Sequence, residues 1–197
     1  MSASPLIRAF VAIPLPSELK TVIGERQQQL QTIIRRQSVR WTHPDQLHLT
    51  LKFYGNVASE GIIALTQALR VSCQTIPRFS LSLDGLGCFP STRRPAVIWL
   101  GIYGDIPMLA ELHKNIDDQT KNFGSRADAR DFHPHLTIGR VKASPREARP
   151  VSDAMQNHHF GELGKWEVRE LALIQSILSA QSSIYQSLAV FPLTGKI

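Results

Sequence analysis

The 197-residue sequence lacks most features that mark secreted, membrane-spanning or disordered chains. Its two cysteines, Cys73 and Cys88, form no C-x-x-C pair, which argues against a disulfide framework and indicates reduced thiols. No apolar run approaches the ~20 residues that a membrane span needs. The start, "MSASPLIRAFVAIPLP", is a poor secretory signal because a charge interrupts its apolar run and prolines flank it. We therefore expect a cytoplasmic protein with no membrane partner.

What the sequence does contain is an ordinary globular composition with a basic excess. Hydrophobic residues make up 43% and charged residues 19%, and no low-complexity tract interrupts them. The net charge of +6 permits a nucleic-acid or phosphate partner but does not require one, because such an excess also serves solubility. The length fits one domain, or two small lobes that share a core.

Two segments of the chain follow the same order of elements. In the first, the strand "LIRAFVAIP" precedes a helix that Ser17 can cap, and the strand "LHLTLKF" follows. In the second, "PAVIWLGIY" precedes a helix that Asp105 can cap, and "HLTIGRV" follows a loop over 125–134. Outside these segments, "FSLSLDGLGCF", "WEVRELALIQSIL" and "SIYQSLAVFPL" alternate as strands do. The pattern indicates a duplicated strand–helix–strand unit.

The spacing within the two units supports this interpretation. From Ser17 to His48 is 31 residues, and from Asp105 to His135 is 30. We expect one bilobal α+β domain with two antiparallel sheets, outer helices and a pseudo-twofold axis that brings the two matching strands together around a central groove. The domain and its repeat units are expected to span 1–197, about 6–55 and about 95–141.

The two matching strands each carry a histidine and, two residues later, a threonine. Strand side chains alternate between faces, so His48, Thr50, Lys52 and Tyr54 are predicted on one face of the first strand, opposite a leucine-rich face. In the second strand, His135 and Thr137 lie opposite two buried aliphatic residues. A lone strand histidine is usually structural, but the duplicated pattern favours a functional pair.

Two imidazoles at one groove suit acid–base chemistry. With an ordinary pKa of ~6.5, one ring can be neutral and the other protonated near neutral pH. The hydroxyls of Thr50 and Thr137, with Lys52 or Arg140, would hold a phosphoryl group between the rings. In-line displacement at phosphorus needs a base and an acid on opposite sides, which a two-fold pair of strands supplies.

Further residues are candidates for contact with RNA. Tyr54 and Phe89 could stack on a base, and Lys52 could bind an RNA phosphate, although packing explains each of them equally well. The histidines near the second motif match no compact zinc pattern, so we expect no metal and no cofactor: His133, His135, His158 and His159.

At these residues the sequence resembles a known family. The segments "RAFVAIPLP", "WTHPDQLHLTLKFYGNV", "RPAVIWLGI" and "FHPHLTIGRV" are similar to the two-histidine (2H) phosphoesterase superfamily, and within it to bacterial RNA 2′,3′-cyclic phosphodiesterases, also called 2′-5′ RNA ligases. The likeness covers nearly the whole chain in the same order. It implies metal-independent hydrolysis of a 2′,3′-cyclic phosphate end to a 2′-phosphate, in a bilobal fold with one motif from each lobe.

The resemblance also implies roles for individual residues. His48 matches the proton donor to the leaving 3′ oxygen, and His135 matches the base that activates water. Thr50, Thr137 and Arg140 match groups that hold the phosphate. Which histidine is the acid and which the base is left open by the residues themselves.

The position of Arg140 conflicts with simple alternation. It follows His135 by five residues, an odd number, so a regular strand would turn it to the opposite face. A bulge at Gly139 could re-aim it, or its long side chain could curl round the strand end. Otherwise Arg140 is structural.

The expected partners are RNA ends, tRNA-like, or small cyclic nucleotides, bound by a monomer. Reversible 2′-5′ RNA ligation is a related activity, because the reverse reaction uses the same site. The alternative from another class is a nucleotide- or RNA-binding module without turnover. Binding alone would not require two proton carriers, which favours the enzyme.

Overall fold

The computed structural model describes residues 4–34, 36–124, 132–142, 145–178 and 183–196, with no side-chain description for 36 and 145–147. Most of the loop predicted over 125–134 lies outside these residues. The helices are α1 (Ser17–Ile33), α2 (Gly61–Gln74), α3 (Ile106–Gln119) and α4 (Pro145–Asn157). The strands are β1 (Leu6–Pro14), β2 (Val39–Trp41), β3 (His48–Ala58), β4 (Phe79–Ser91), β5 (Arg94–Gly104), β6 (His135–Val141), β7 (Gly164–Val168), β8 (Glu170–Leu178) and β9 (Ser183–Pro192).

The strands form two antiparallel sheets, which confirms the predicted α+β architecture. The terminal sheet has the order β3-β1-β8-β9, and the central sheet has the order β2-β6-β5-β4-β7. In each sheet the strand that carries a histidine motif pairs with the first strand of its own unit, β3 with β1 and β6 with β5. The two motif strands therefore neighbour the first strand of their own unit in different sheets, with β3 at a sheet edge and β6 between β5 and β2.

The helices of the two units cross over to the opposite sheets. On α1, the Gln27 side-chain amide donates to the Ile138 carbonyl of β6 at 2.8 Å, so this helix lies behind the central sheet together with α4. On α3, Asp117 pairs with Lys52 of β3 at 2.8 Å, so this helix lies behind the terminal sheet together with α2. Each unit thus covers the apolar face of the other unit's sheet.

Several local predictions differ from the structure. Ser17 is the first helical residue rather than the cap, and Pro16 precedes it without a side-chain cap bond. Asp105 does occupy the N-cap position of α3, but its carboxylate accepts a hydrogen bond from the Ser80 backbone amide instead of capping the helix. The segment "WEVRELALIQSIL" is two strands that separate at Arg169 and enter different sheets.

One hydrophobic core runs between the helices and both sheets, and residues from one face of β1, β3, β5 and β6 enter it. Cys73 and Cys88 are buried and unpaired. Among the described residues, no helix combines the length and apolar character that crossing a bilayer requires. The sheet faces turned away from the helices, called the groove faces below, are free to carry polar and aromatic side chains.

Candidate active site

The first motif starts β3 at the end of β1. His48 pairs with Pro14 and Thr50 pairs with Ala12. Ile13, which lies between Pro14 and Ala12 on β1, is buried in the core. His48 and Thr50 therefore share the groove face of the terminal sheet, as alternation predicts.

Beyond Thr50 the alternation fails, because β3 carries two register shifts against β1. The extra residues are Leu51 and Tyr54, both of which are buried. The first bulge turns Lys52 towards α3, where its ammonium lies 2.8 Å from Asp117 with 11% of its side chain exposed. It also brings Phe53 onto the groove face. The prediction of Lys52 as an RNA contact is therefore wrong.

Tyr54 was also wrongly predicted as a base contact. Its side chain is 0% exposed, and its hydroxyl donates to Thr120 Oγ1 at 3.2 Å, on the side of α3. Burial raises the pKa of this hydroxyl. Gly124, at φ 79°, packs so closely that a Cβ there would lie 2.2 Å from the Tyr54 carbonyl oxygen. Tyr54 thus fastens β3 to α3 and to the chain that follows it.

The second motif starts β6, and this strand also contains a bulge. Thr137 pairs with Trp99, and the next pair joins Gly139 to Ile98, so Ile138 is the extra residue. The shift returns Arg140 to the face of Thr137, which the odd spacing alone would not allow. The sequence suggested a bulge at Gly139 itself, and the structure has it one residue earlier, at Ile138.

The two catalytic candidates are held in the same way. Nδ1 of His48 lies 2.7 Å from the Gln46 carbonyl oxygen, and Nδ1 of His135 lies 2.7 Å from the His133 carbonyl oxygen. A carbonyl only accepts, so each Nδ1 carries a proton, and in the neutral form of such a ring Nε2 is the unprotonated nitrogen. The Gln46 side-chain amide also donates to the Ser183 carbonyl and so ties this turn to the start of β9.

Aromatic side chains surround His48. Phe10 of β1 stacks on the imidazole with ring centroids 4.7 Å apart and planes at 28°. Tyr185 of β9 meets the same imidazole edge-on at 5.4 Å. Burial by these neighbours lowers the pKa of His48 from 6.5 to about 4, while the Gln46 hydrogen bond raises it and the charge of Lys20 lowers it further. Without bound substrate, the His48 ring is therefore neutral at pH 7.

Different aromatic side chains, both from the central sheet, lie beside His135. Phe89 meets its ring edge-on at 5.0 Å, and Trp99 lies 6.5 Å away at a tilt of 60°. Gly87 makes room for this indole, because a Cβ at that position would lie 2.2 Å from the Trp99 ring. Phe89, a predicted base contact, thus lies beside the second histidine.

Sequence reasoning missed three residues of the terminal-sheet wall. Phe10 and Tyr185 contact His48, Phe53 stacks on Phe10, and the three rings come from three different strands. Phe10 could have been found from its place on β1 opposite the buried Val11 and Ile13. Phe53 could not, because simple alternation assigns it to the core face.

The strands β3 and β6 contact each other although they belong to different sheets. Each offers an imidazole, a hydroxyl two residues on, and aromatic cover. Chemically, such a pair of imidazoles can accept one proton and donate another, and hydroxyl and guanidinium groups can donate hydrogen bonds to an anion. Among the described residues, no group of three or more His, Cys, Asp and Glu side chains is placed to hold a metal ion.

Comparison with known proteins gives one consistent result. The sequence profile of the 2′-5′ RNA ligase superfamily matches residues 19–178. The RNA 2′,3′-cyclic phosphodiesterase of Archaeoglobus fulgidus is 32% identical over 185 residues, which are 94% of this chain and 99% of that protein. Escherichia coli LigT, solved with 3′-AMP, superimposes with a TM-score of 0.77 and 27% identity over 96% of this chain and 99% of LigT. A Thermus thermophilus crystal structure shares the fold, with a TM-score of 0.79 and 24% identity over 97% of this chain and 100% of that one.

Proposed function

This chain belongs to the 2′-5′ RNA ligase superfamily, and from that premise we propose that it hydrolyses 2′,3′-cyclic phosphate ends of RNA to 2′-phosphates. The observation that carries the proposal is the matched pair of motifs. Each places a histidine at the start of a strand, fixes its Nδ1 on a carbonyl oxygen at 2.7 Å, and follows it with a threonine on the same face. A module that only bound nucleotides would have no use for two imidazoles fixed in the same tautomer.

The reaction needs two proton transfers and one displacement. Water attacks phosphorus, its proton passes to Nε2 of His135, and the bond from phosphorus to the 3′ oxygen breaks. His48 gives a proton to that oxygen, which leaves a 3′ hydroxyl and a 2′-phosphate. Thr50, Thr137 and Arg140 donate hydrogen bonds to the phosphoryl oxygens as charge builds up on them. All of these steps use side chains of this chain.

The low pKa of His48 sets a condition on its role as donor. In the free protein the ring is neutral near pH 7, because burial holds its pKa at about 4. A bound cyclic phosphate is an anion, and an anion close to an imidazole raises its pKa. We therefore expect His48 to take up a proton when substrate binds.

The test of the function is turnover of a 2′,3′-cyclic mononucleotide in excess EDTA. His48→Gln and His135→Gln should each lower kcat by at least about 10²-fold, while circular dichroism shows an intact fold. His159→Gln is the matched control, since this exposed histidine follows α4 and should leave kcat unchanged. Wild-type protein that binds the nucleotide without turnover would support the binding module, and loss of turnover in EDTA would overturn the metal-free mechanism.

The assignment of acid and base has its own test in the residual activity of His135→Gln. If His48 is the donor, kcat/KM of this variant falls as the pH rises above about 4, because the protonated ring becomes scarce. If His48 is the base, kcat/KM rises with pH over the same window. A rise in kcat/KM would mean that the assignment of acid and base to the two rings must be reversed.

The family also favours a second activity, 2′-5′ RNA ligation. The attacking water is then replaced by the 5′ hydroxyl of a second RNA, and the same two rings move the protons. Incubation of an RNA with a cyclic end and an RNA with a 5′ hydroxyl should give a joined product, and both histidine variants should lose it. A joined product that persists in His48→Gln would place ligation outside this site.

A further inference from the structure

A row of stacked groups leads away from His48 along the groove face of the terminal sheet. Phe10 stacks on the imidazole at 4.7 Å, and Phe53 stacks on Phe10 at 6.0 Å with planes at 15°. The guanidinium carbon of Arg8 lies 4.6 Å from the centroid of the Phe53 ring. The last two residues are called the Arg8–Phe53 platform below.

Exposure increases along this row. Phe10 is only 2% exposed, whereas Phe53 is 46% exposed even with the guanidinium over its ring. Arg8 is exposed as well. The bulge at Leu51 is the reason that an aromatic ring, and not Lys52, stands at this place. Burial therefore explains Phe10, but it does not explain the ring at Phe53.

The platform lies one ring beyond the immediate surroundings of the catalytic candidate. Tyr185, at 5.4 Å from His48 and 37% exposed, is the nearer aromatic surface for a nucleoside whose phosphate lies at the imidazole. Phe53 is separated from His48 by the whole Phe10 ring. A ligand group on Phe53 is thus better supplied by the next nucleotide than by the one that carries the cyclic phosphate.

We propose that the Arg8–Phe53 platform binds the base of the nucleotide that adjoins the cyclic end, so that the protein prefers oligoribonucleotides over cyclic mononucleotides. This proposal rests on the proposed function, which places the cyclic phosphate at His48. An exposed aromatic ring accepts any base by stacking, at about 1–3 kcal/mol per base. The guanidinium adds a planar cation that stacks on bases and attracts the phosphate backbone.

The test compares two substrates that end in the same nucleoside 2′,3′-cyclic phosphate, a mononucleotide and a tetranucleotide. In Arg8→Ala and Phe53→Leu, the ratio of kcat/KM for the tetranucleotide to kcat/KM for the mononucleotide should fall about tenfold, as loss of one stacked base predicts. Arg26→Ala is the matched control. Arg26 is on α1, behind the central sheet, and its guanidinium carbon also lies over an aromatic ring, 5.9 Å from the centroid of Phe160. It should leave the ratio unchanged.

Two outcomes overturn the proposal. Both leave the ratio unchanged: one is no change in kcat/KM on either substrate, and the other is an equal loss on both substrates, which would assign the platform to the terminal base or to support of His48. If wild-type protein turns over neither substrate, the proposed function fails on its own. The platform is then judged by fluorescence anisotropy with a labelled tetranucleotide 2′-phosphate, competed by the nucleoside 2′-phosphate. A tenfold loss of tetranucleotide affinity alone supports it, and an equal loss of both affinities refutes it.

Discussion

Truncation of Phe10 should raise the pKa of His48 towards its ordinary value. Burial lowers that pKa from 6.5 to about 4, which corresponds to about 3 kcal/mol in favour of the neutral ring. Phe10 is the ring stacked on the imidazole, so a smaller side chain admits water to one face of it. We expect a rise of about one unit or more in Phe10→Ala and a smaller rise in Phe10→Leu.

The assay is an NMR titration of the imidazole signals from pH 3.5 to 8, with the His48 signal identified by its absence in His48→Gln. Phe89→Leu is the control, since its ring lies against His135 and not against His48. A wild-type midpoint near 6.5, or equal midpoints in wild type and Phe10→Ala, would refute the reasoning. Phe10→Ala also lowers the free energy of unfolding by about 3–5 kcal/mol and could unfold the protein. Phe10→Leu is the milder variant in which the titration can still be measured on folded protein.

The same shift makes stability depend on pH. Because the folded pKa of His48 is the lower one, the unfolded chain binds more protons between pH 4 and 6.5. The contribution of His48 to the free energy of unfolding is therefore complete above pH 6.5, and it is lost as the pH falls through about 4. Urea denaturation at several pH values should show this slope in wild type and a weaker slope in Phe10→Leu.

Two further substitutions test the supports of the site. Asp117→Asn leaves the mostly buried Lys52 ammonium without its carboxylate. It should lower the free energy of unfolding, measured by urea titration, by about 1–2 kcal/mol. Equal urea midpoints in wild type and variant would show that the pair does not stabilise the fold. Gly87→Ala sets a Cβ 2.2 Å from the Trp99 ring, so it should shift the tryptophan emission and cost about 1–3 kcal/mol. Gly161→Ala is its control, since a Cβ there meets nothing within 4 Å, and equal effects of both changes would contradict the steric argument.

Sequence pattern was sufficient for the strands that carry the motifs and failed where register changes. Alternation correctly placed Thr50 with His48 because β3 pairs regularly with β1 as far as that residue. At Leu51 the bulge exchanges the faces, and nothing in "LTLKFYG" marks it, since a bulge is defined by the partner strand. Arg140 is the opposite case, because its odd spacing from His135 suggested a bulge as one of the alternatives, and β6 does bulge.

The crossing of the helices was beyond the reach of the sequence for a different reason. An apolar stripe on α1 or α3 shows that the helix buries one side, but it does not show which sheet receives that side. The spacings from Ser17 to His48 and from Asp105 to His135 are compatible with either arrangement. Only long-range contacts such as Gln27 to Ile138 distinguish them.

This exchange of helices has a consequence for any attempt to divide the protein. A chain cut in the connection at 75–78, between α2 and β4, gives one fragment with α1 but without most of the sheet that α1 covers, and another fragment with α3 but without β1 and β3. Each half keeps one covering helix, α2 or α4, but loses the other, so part of its apolar core is left without cover. Expressed singly the halves should be insoluble, and expressed together they should reassemble into one particle.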